Sequence, residues 1–155
     1  MGHAVEWNPE GGWTQVAGTE GIVTNGVQTS ADGKVAYVNF TLGDKVIAVD
    51  RASGEQLWSA EVEHPDNTSW TPDGRLLVAS IRADLETVLK CIEADKAFCP
   101  IDFAAVAVDP ASGATTTLAE GGGPPFGLAT VAVQVGDKIY LGSATGERVG
   151  VVTVN

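Results

Sequence analysis

Asn25-Gly26-Val27-Gln28-Thr29-Ser30-Ala31-Asp32-Gly33-Lys34 and Asp66-Asn67-Thr68-Ser69-Trp70-Thr71-Pro72-Asp73-Gly74-Arg75 are two copies of one unit, offset by 41 residues. Each opens on an oxygen-bearing side chain and turns at Asp-Gly, a dipeptide suited to tight turns. Where one unit stacks per repeat, equivalent positions face the same way, so Asn25 and Asp66 are expected to converge. Carboxylate and carboxamide oxygens brought together suit a hard cation or a polar ligand.

The repetition extends outward from this pair. Ala48-Val49-Asp50-Arg51-Ala52-Ser53-Gly54 returns as Ala107-Val108-Asp109-Pro110-Ala111-Ser112-Gly113, and the larger offset implies an insertion in the second unit. A third copy begins near Leu128, with Gly136-Asp137-Lys138 at its turn. Alternating apolar and polar residues, rich in β-branched and aromatic types and punctuated by Gly, Asp and Pro, predict strands throughout. The exception is residues 84–94, where Leu85, Val88, Leu89 and Ile92 follow helical spacing. The fold class is therefore all-β with one short inserted helix near 84–94.

Units of about 40 residues with four strands each mark propeller blades. Blades are expected at about 25–61 and 66–119, followed by a three-stranded copy over 128–154. The N-terminal strands, within 4–17, would complete the blade formed by 128–154, making the 155 residues a single half-propeller domain. Three blades are too few to close a ring. A homodimer of two such arcs would make a six-bladed ring, with a channel able to take a small molecule.

The formal net charge of −11 argues against nucleic acid and anionic membranes as partners and favours cations. No apolar run reaches the length of a membrane helix. The opening Met1-Gly2-His3-Ala4-Val5-Glu6-Trp7 lacks the basic and apolar regions of a signal peptide, so the expectation is a soluble protein of unspecified compartment. Cys91 and Cys99 match no zinc spacing and are open to reading as a local disulfide or as two inert thiols. Trp7, Trp13, Trp58 and Trp70 are expected in blade cores, with Trp70 between blades. Gly121-Gly122-Gly123-Pro124-Pro125 reads as a connector, since its prolines offer no amide hydrogens.

Three stretches carry a family resemblance. Thr24 to Val38 resembles the segment A-N-G-I-x-x-S-P-D-G-K-x-x-Y-V of the six-bladed calcium propellers of the paraoxonase, gluconolactonase and strictosidine-synthase-like superfamily. Pro65 to Ala79 is similar to that family's x-D-N-I-x-x-D-P-D-G-x-L-W-V-A, and Leu128 to Ser143 resembles its last blade. The match is to the C-terminal half of the family. It implies calcium ligation by Asn25, Asp66 and Asn67, and a calcium-dependent lactonase or arylesterase-like hydrolase whose site a homodimer would complete. The family's glutamate ligand and catalytic histidines have no counterpart, and the third copy places Ala129 where the ligands stand. His64, two residues before Asp66, is the candidate general base. The alternative is a non-catalytic half-propeller serving binding or assembly.

Overall fold

The computed structural model describes residues 1–94 and 98–154. A hairpin comes first, β1 (Val5–Asn8) and β2 (Gly12–Gln15). The first full blade is β3 (Thr24–Thr29), β4 (Val35–Phe40), β5 (Lys45–Asp50) and β6 (Gln56–Glu61). The second is β7 (Pro65–Trp70), β8 (Leu76–Ile81), β9 (Phe103–Val108) and β10 (Thr115–Gly121), with helix α1 (Leu85–Glu93) inserted between β8 and β9. A three-stranded sheet follows, β11 (Ala129–Val135), β12 (Lys138–Ser143) and β13 (Gly150–Thr153). All neighbouring strands are antiparallel, and both four-stranded sheets run in sequence order.

The sheets stack face to face, and the burial pattern shows why. Every residue of β8 and β9 is buried, because the second blade is covered on both faces. Tyr37, Val46 and Ala48 meet Leu76, Val78 and Val106 between the first and second blades. Leu77, Ala79 and Ala105 meet Ala132, Ile139 and Leu141 between the second and third sheets. Trp58 and Trp70 flank Tyr37 in the first of these layers, as expected of blade-core tryptophans.

The two Asp-containing turns repeat atom for atom. Asp50 Oδ1 accepts from the amides of Ala52 and Ser53 and from the Ser53 hydroxyl, and Asp109 Oδ1 does the same with Ala111 and Ser112. Short polar side chains that cap their own turn end a strand without leaving amides unpaired. The Ala48–Gly54 unit, returning as Ala107–Gly113, is thus a structural repeat as well as a sequence repeat.

Three features depart from the sequence expectations or complete them. Within this chain β1–β2 is its own two-stranded sheet. It lies against the first blade, where Ala4 and Val16 pack with Val38, Phe40 and Val49, and Glu6 pairs with Arg51. Trp7 and Trp13 face each other across this hairpin and are 58% and 71% exposed, so these two tryptophans are not core residues of the arc. Cross-strand pairing of large rings stabilises a hairpin on either face, which is why their type alone misplaced them.

Helix α1 forms where the spacing predicts it, capped by Asp84, whose side chain accepts from the Thr87 amide. Only part of its apolar face is used. Val88 packs against the buried cluster of Ile81, Cys99, Ile101 and Leu128, while Leu85, Leu89 and Ile92 stay exposed. Cys91 and Cys99 are joined in a disulfide, which settles the pairing the sequence left open and ties the helix to its return strand.

Candidate functional site

The first strands of the three sheets, β3, β7 and β11, lie side by side. Each carries a register shift near its start. Thr24 pairs with Phe40 and Val27 with Val38, so Asn25 and Gly26 together oppose Asn39 alone. Pro65 pairs with Ser80 and Thr68 with Val78, so Asp66 and Asn67 oppose Ala79 alone. In β11 the shift lies at Thr130, between Ala129 and Val131. A β-bulge frees residues from the ladder and re-aims their side chains. The residues singled out by sequence as ligands, Asn25, Asp66 and Asn67, are the bulged residues.

The bulges bring those three side chains together. Asn67 Nδ2 donates to Asp66 Oδ1 at 3.0 Å and to the carbonyl of Thr130 at 2.9 Å. Asn25 Nδ2 donates to Thr41 Oγ1 at 3.2 Å, and Thr41 in turn donates to the Pro65 carbonyl. Burial pushes the Asp66 carboxyl above the usual carboxylate range, and the nearby Asn25 side chain offsets part of that rise. Among the described residues no Lys, Arg or His is ion-paired with Asp66. The site therefore holds one carboxylate without a compensating charge.

The strands that carry the trio are stitched sideways. Gln28 Nε2 donates to the Thr68 carbonyl and Ser69 Oγ to the Ala132 carbonyl. Asn39 Nδ2 donates to the Asp66 carbonyl at 2.6 Å and to Thr68 Oγ1 at 2.8 Å. Gly26 passes so close to the Asp66 carbonyl that a Cβ there would collide with it. Thr41, Asn39 and the Thr130 carbonyl were not foreseen from sequence, and no periodicity marks them.

His64 heads β7 at the same end of the sheets, but its contacts are elsewhere. Its backbone amide donates to Asp44 Oδ1 at 2.9 Å, and its Nε2 stands 3.8 Å from the same oxygen. Its φ of 34° is left-handed, an uncommon conformation for a side-chain-bearing residue, and its Nδ1 is buried without a partner. Nothing in this geometry joins His64 to the trio.

Two open clefts of about 520 and 500 Å³ lie away from the trio. One is lined by Arg82, Asp102 and Glu120, the other by Asp44, Lys45 and Glu61. Glu61 and Glu120 occupy equivalent places in successive units, so these clefts are grooves that the blade repeat generates. Among the described residues no group of three or more His, Cys, Asp or Glu side chains could hold a metal ion, and no helix is long and apolar enough to cross a membrane.

No family model matches this sequence, and no curated protein matches it either. Solved structures do. The chain is similar to a "putative 6-phosphogluconolactonase" from Bacteroides fragilis NCTC 9343, with a TM-score of 0.54 and 16% identity over 91% of this chain and 41% of that one. The fold is that of β-propeller blades. A second "putative 6-phosphogluconolactonase", from Bacteroides uniformis ATCC 8492, aligns at a TM-score of 0.42 and 13% identity, over 99% of this chain and 60% of its own. The calcium-binding protein regucalcin from Agrobacterium tumefaciens str. C58 aligns at 0.36 and 14%, over 90% and 57%. This chain spans about two-fifths of the first of these propellers, and at such identities the likeness concerns the fold.

Proposed function

We propose that the bulged ends of β3 and β7 form a calcium site in the channel of a lactonase-like propeller. One observation carries this reading: Asn25, Asp66 and Asn67 converge through equivalent bulges around a half-buried carboxylate that has no cationic partner among the described residues. The donors fit calcium in kind, since all can offer oxygen, and with their amide groups engaged the two asparagines have oxygens to spare. In number they fall short of the six to eight oxygens calcium takes. Water and the opposite side of the channel would supply the remainder.

The opposite side is proposed to come from a second copy. The arc has an apolar face at each end: Val5, Trp7 and Trp13 on the hairpin, and Val133, Tyr140 and Val151 on the third sheet. Two copies related by a two-fold axis would bury both faces twice, with each hairpin beside the partner's third sheet. Analytical ultracentrifugation at micromolar concentration tests this. A dimer is expected, and a clean monomer overturns the shared ring.

Bound calcium would polarise a lactone or aryl-ester carbonyl. The chain's own part is to hold and orient: Asn25, Asp66 and Asn67 grip one side of the channel, and His64, which stands beside Asp44 at the same end of the sheets and out of contact with the trio, is the proposed acceptor of the proton of an attacking water. Turnover on a panel of lactones and phenyl esters, with and without chelator, tests the hydrolase. Activity that survives both chelation and Asp66→Ala rules out a calcium-dependent site at the trio. The presence of only one carboxylate in the trio favours a second reading, a non-catalytic binding module in which the cation braces the blades. Calcium-dependent stabilisation with no hydrolysis would establish that instead.

A further inference from the structure

Asn39 is a buried carboxamide in the first blade where the second blade has a small apolar residue. It is the penultimate residue of β4, 1% exposed, on a strand whose other buried residues are Ala36, Tyr37, Val38 and Phe40. The residue in the same place in the second blade, opposite the bulge of the first strand, is Ala79. A small apolar residue therefore satisfies the fold there. A buried carboxamide needs another reason, because burying a polar group is unfavourable unless its hydrogen bonds are made.

Its own bonding is lopsided. Both amide hydrogens are used, toward the Asp66 carbonyl and Thr68 Oγ1, and its Oδ1 has no partner. The carbonyl acceptor fixes which way the amide faces, since the reversed carboxamide would set oxygen against oxygen. The side chain is thus arranged for what it donates, at the expense of what it could accept. Both recipients lie on β7, one on each side of Asn67, so the two bonds span the second bulge from the neighbouring blade.

We propose that Asn39 is the positioning residue of the trio: by clamping the backbone of Asp66 and the side chain of Thr68, it sets where the bulge presents Asp66 and Asn67. This rests on the reading of the trio as a binding site. It adds a residue that touches no ligand and that no motif in the sequence marks. The second bulge needs such a clamp because it carries two of the three candidate ligands. The third sheet, whose bulge carries none, receives Asn67 at its Thr130 carbonyl and needs no counterpart.

The test compares Asn39→Ala, the residue the second blade uses, with Gln28→Ala. Gln28 also bonds β3 to β7, at the Thr68 carbonyl, but does not reach the bulge. Calcium alone is titrated into each full-length, metal-free protein by calorimetry, and backbone amide NMR shifts are recorded. Asn39→Ala is expected to weaken calcium roughly 10–100-fold, the usual range for lost outer partners of metal ligands, with shifts concentrated at residues 66–68. Gln28→Ala is expected to lower the melting temperature with affinity changed by no more than about 2-fold, well below that range. Equal losses in the two variants, or unchanged affinity in Asn39→Ala, overturn the proposal. If the unsubstituted protein binds no calcium, the calcium reading fails and the shifts alone decide. A perturbation at 66–68 in Asn39→Ala beyond that in Gln28→Ala then supports the clamp, and its absence overturns it.

Discussion

Gly26 and Asp66 touch through their backbones: a side-chain carbon on Gly26 would run into the Asp66 carbonyl and the Asn39 amide. This contact joins the two bulges that hold the candidate ligands, and it requires a residue without a Cβ. Gly26→Ala should push the first two blades apart at the site. Overpacking of this kind costs about 1–3 kcal/mol, and chemical denaturation would read it. Calcium affinity should fall with it.

Asp66 carries the pH dependence of the site. Its folded-state pKa is raised, first by burial, so the folded protein holds that proton more tightly than the unfolded chain does. The contribution to stability is complete below the ordinary carboxylate value and is lost as pH rises through the raised folded value. Asp66→Asn should therefore melt higher than the unsubstituted protein at neutral pH without metal, and no higher well below pH 4, a bound set by the ordinary Asp value. Calcium should reverse the order at neutral pH, because a charged carboxylate gains more from a divalent cation than a neutral carboxamide does. Melting curves at two pH values, with and without calcium, check all of this.

Asp50 and Asp109 behave in the opposite sense. Amide and hydroxyl donors of Ser53 and Ser112 hold their carboxyls below the usual range. Their stabilisation is present above the unfolded pKa and disappears as pH falls through the depressed folded values. Asp50→Ala and Asp109→Ala should each lower the melting temperature at neutral pH, by similar amounts, since the two turns make the same bonds. The differences should vanish in strong acid.

The Cys91–Cys99 disulfide closes a short loop against the cluster around Leu128. Chain-entropy arguments give such a loop about 2.5 kcal/mol. Because α1 packs on this cluster through Val88 and Cys91 while Leu85, Leu89 and Ile92 stay exposed, reduction should release the helix while the blades persist. Hydrogen exchange should quicken over Leu85–Glu93 and leave β8 and β9 protected.

Leu77 fills the layer between the second and third sheets and is fully buried. Leu77→Ala should cost about 2–5 kcal/mol by leaving a cavity between two rigid sheets. Thermal or urea unfolding measures it, and an unchanged midpoint would contradict the stacked-blade arrangement.

Much of the fold was legible in the residues. Asp32-Gly33 and Asp73-Gly74 gave the repeat, alternation gave the strands, and the spacing of Leu85, Val88 and Ile92 gave the helix. These are local signals, because turn conformation and side-chain direction depend on neighbours in sequence. The convergence of Asn25 with Asp66 was also readable, since it follows from the repeat alone. Trp7 and Trp13 were not placed correctly by their type, and the helical spacing of Leu85 and Leu89 did not say whether anything covers them. An apolar residue at the right spacing reveals which face it lies on, while whether anything covers that face depends on other parts of the fold.

The repeat by itself determined that this protein is built of propeller blades and that oxygen-bearing side chains occupy one position in two of them. Only the tertiary structure decided how those side chains are presented. The bulges at Asn25-Gly26 and Asp66-Asn67 are offsets between paired strands, and an offset has no signature in either strand alone. The roles of Gly26, Asn39 and the Thr130 carbonyl likewise exist only where one blade meets the next. A hydrogen bond between blades joins residues that chain-local patterns cannot relate.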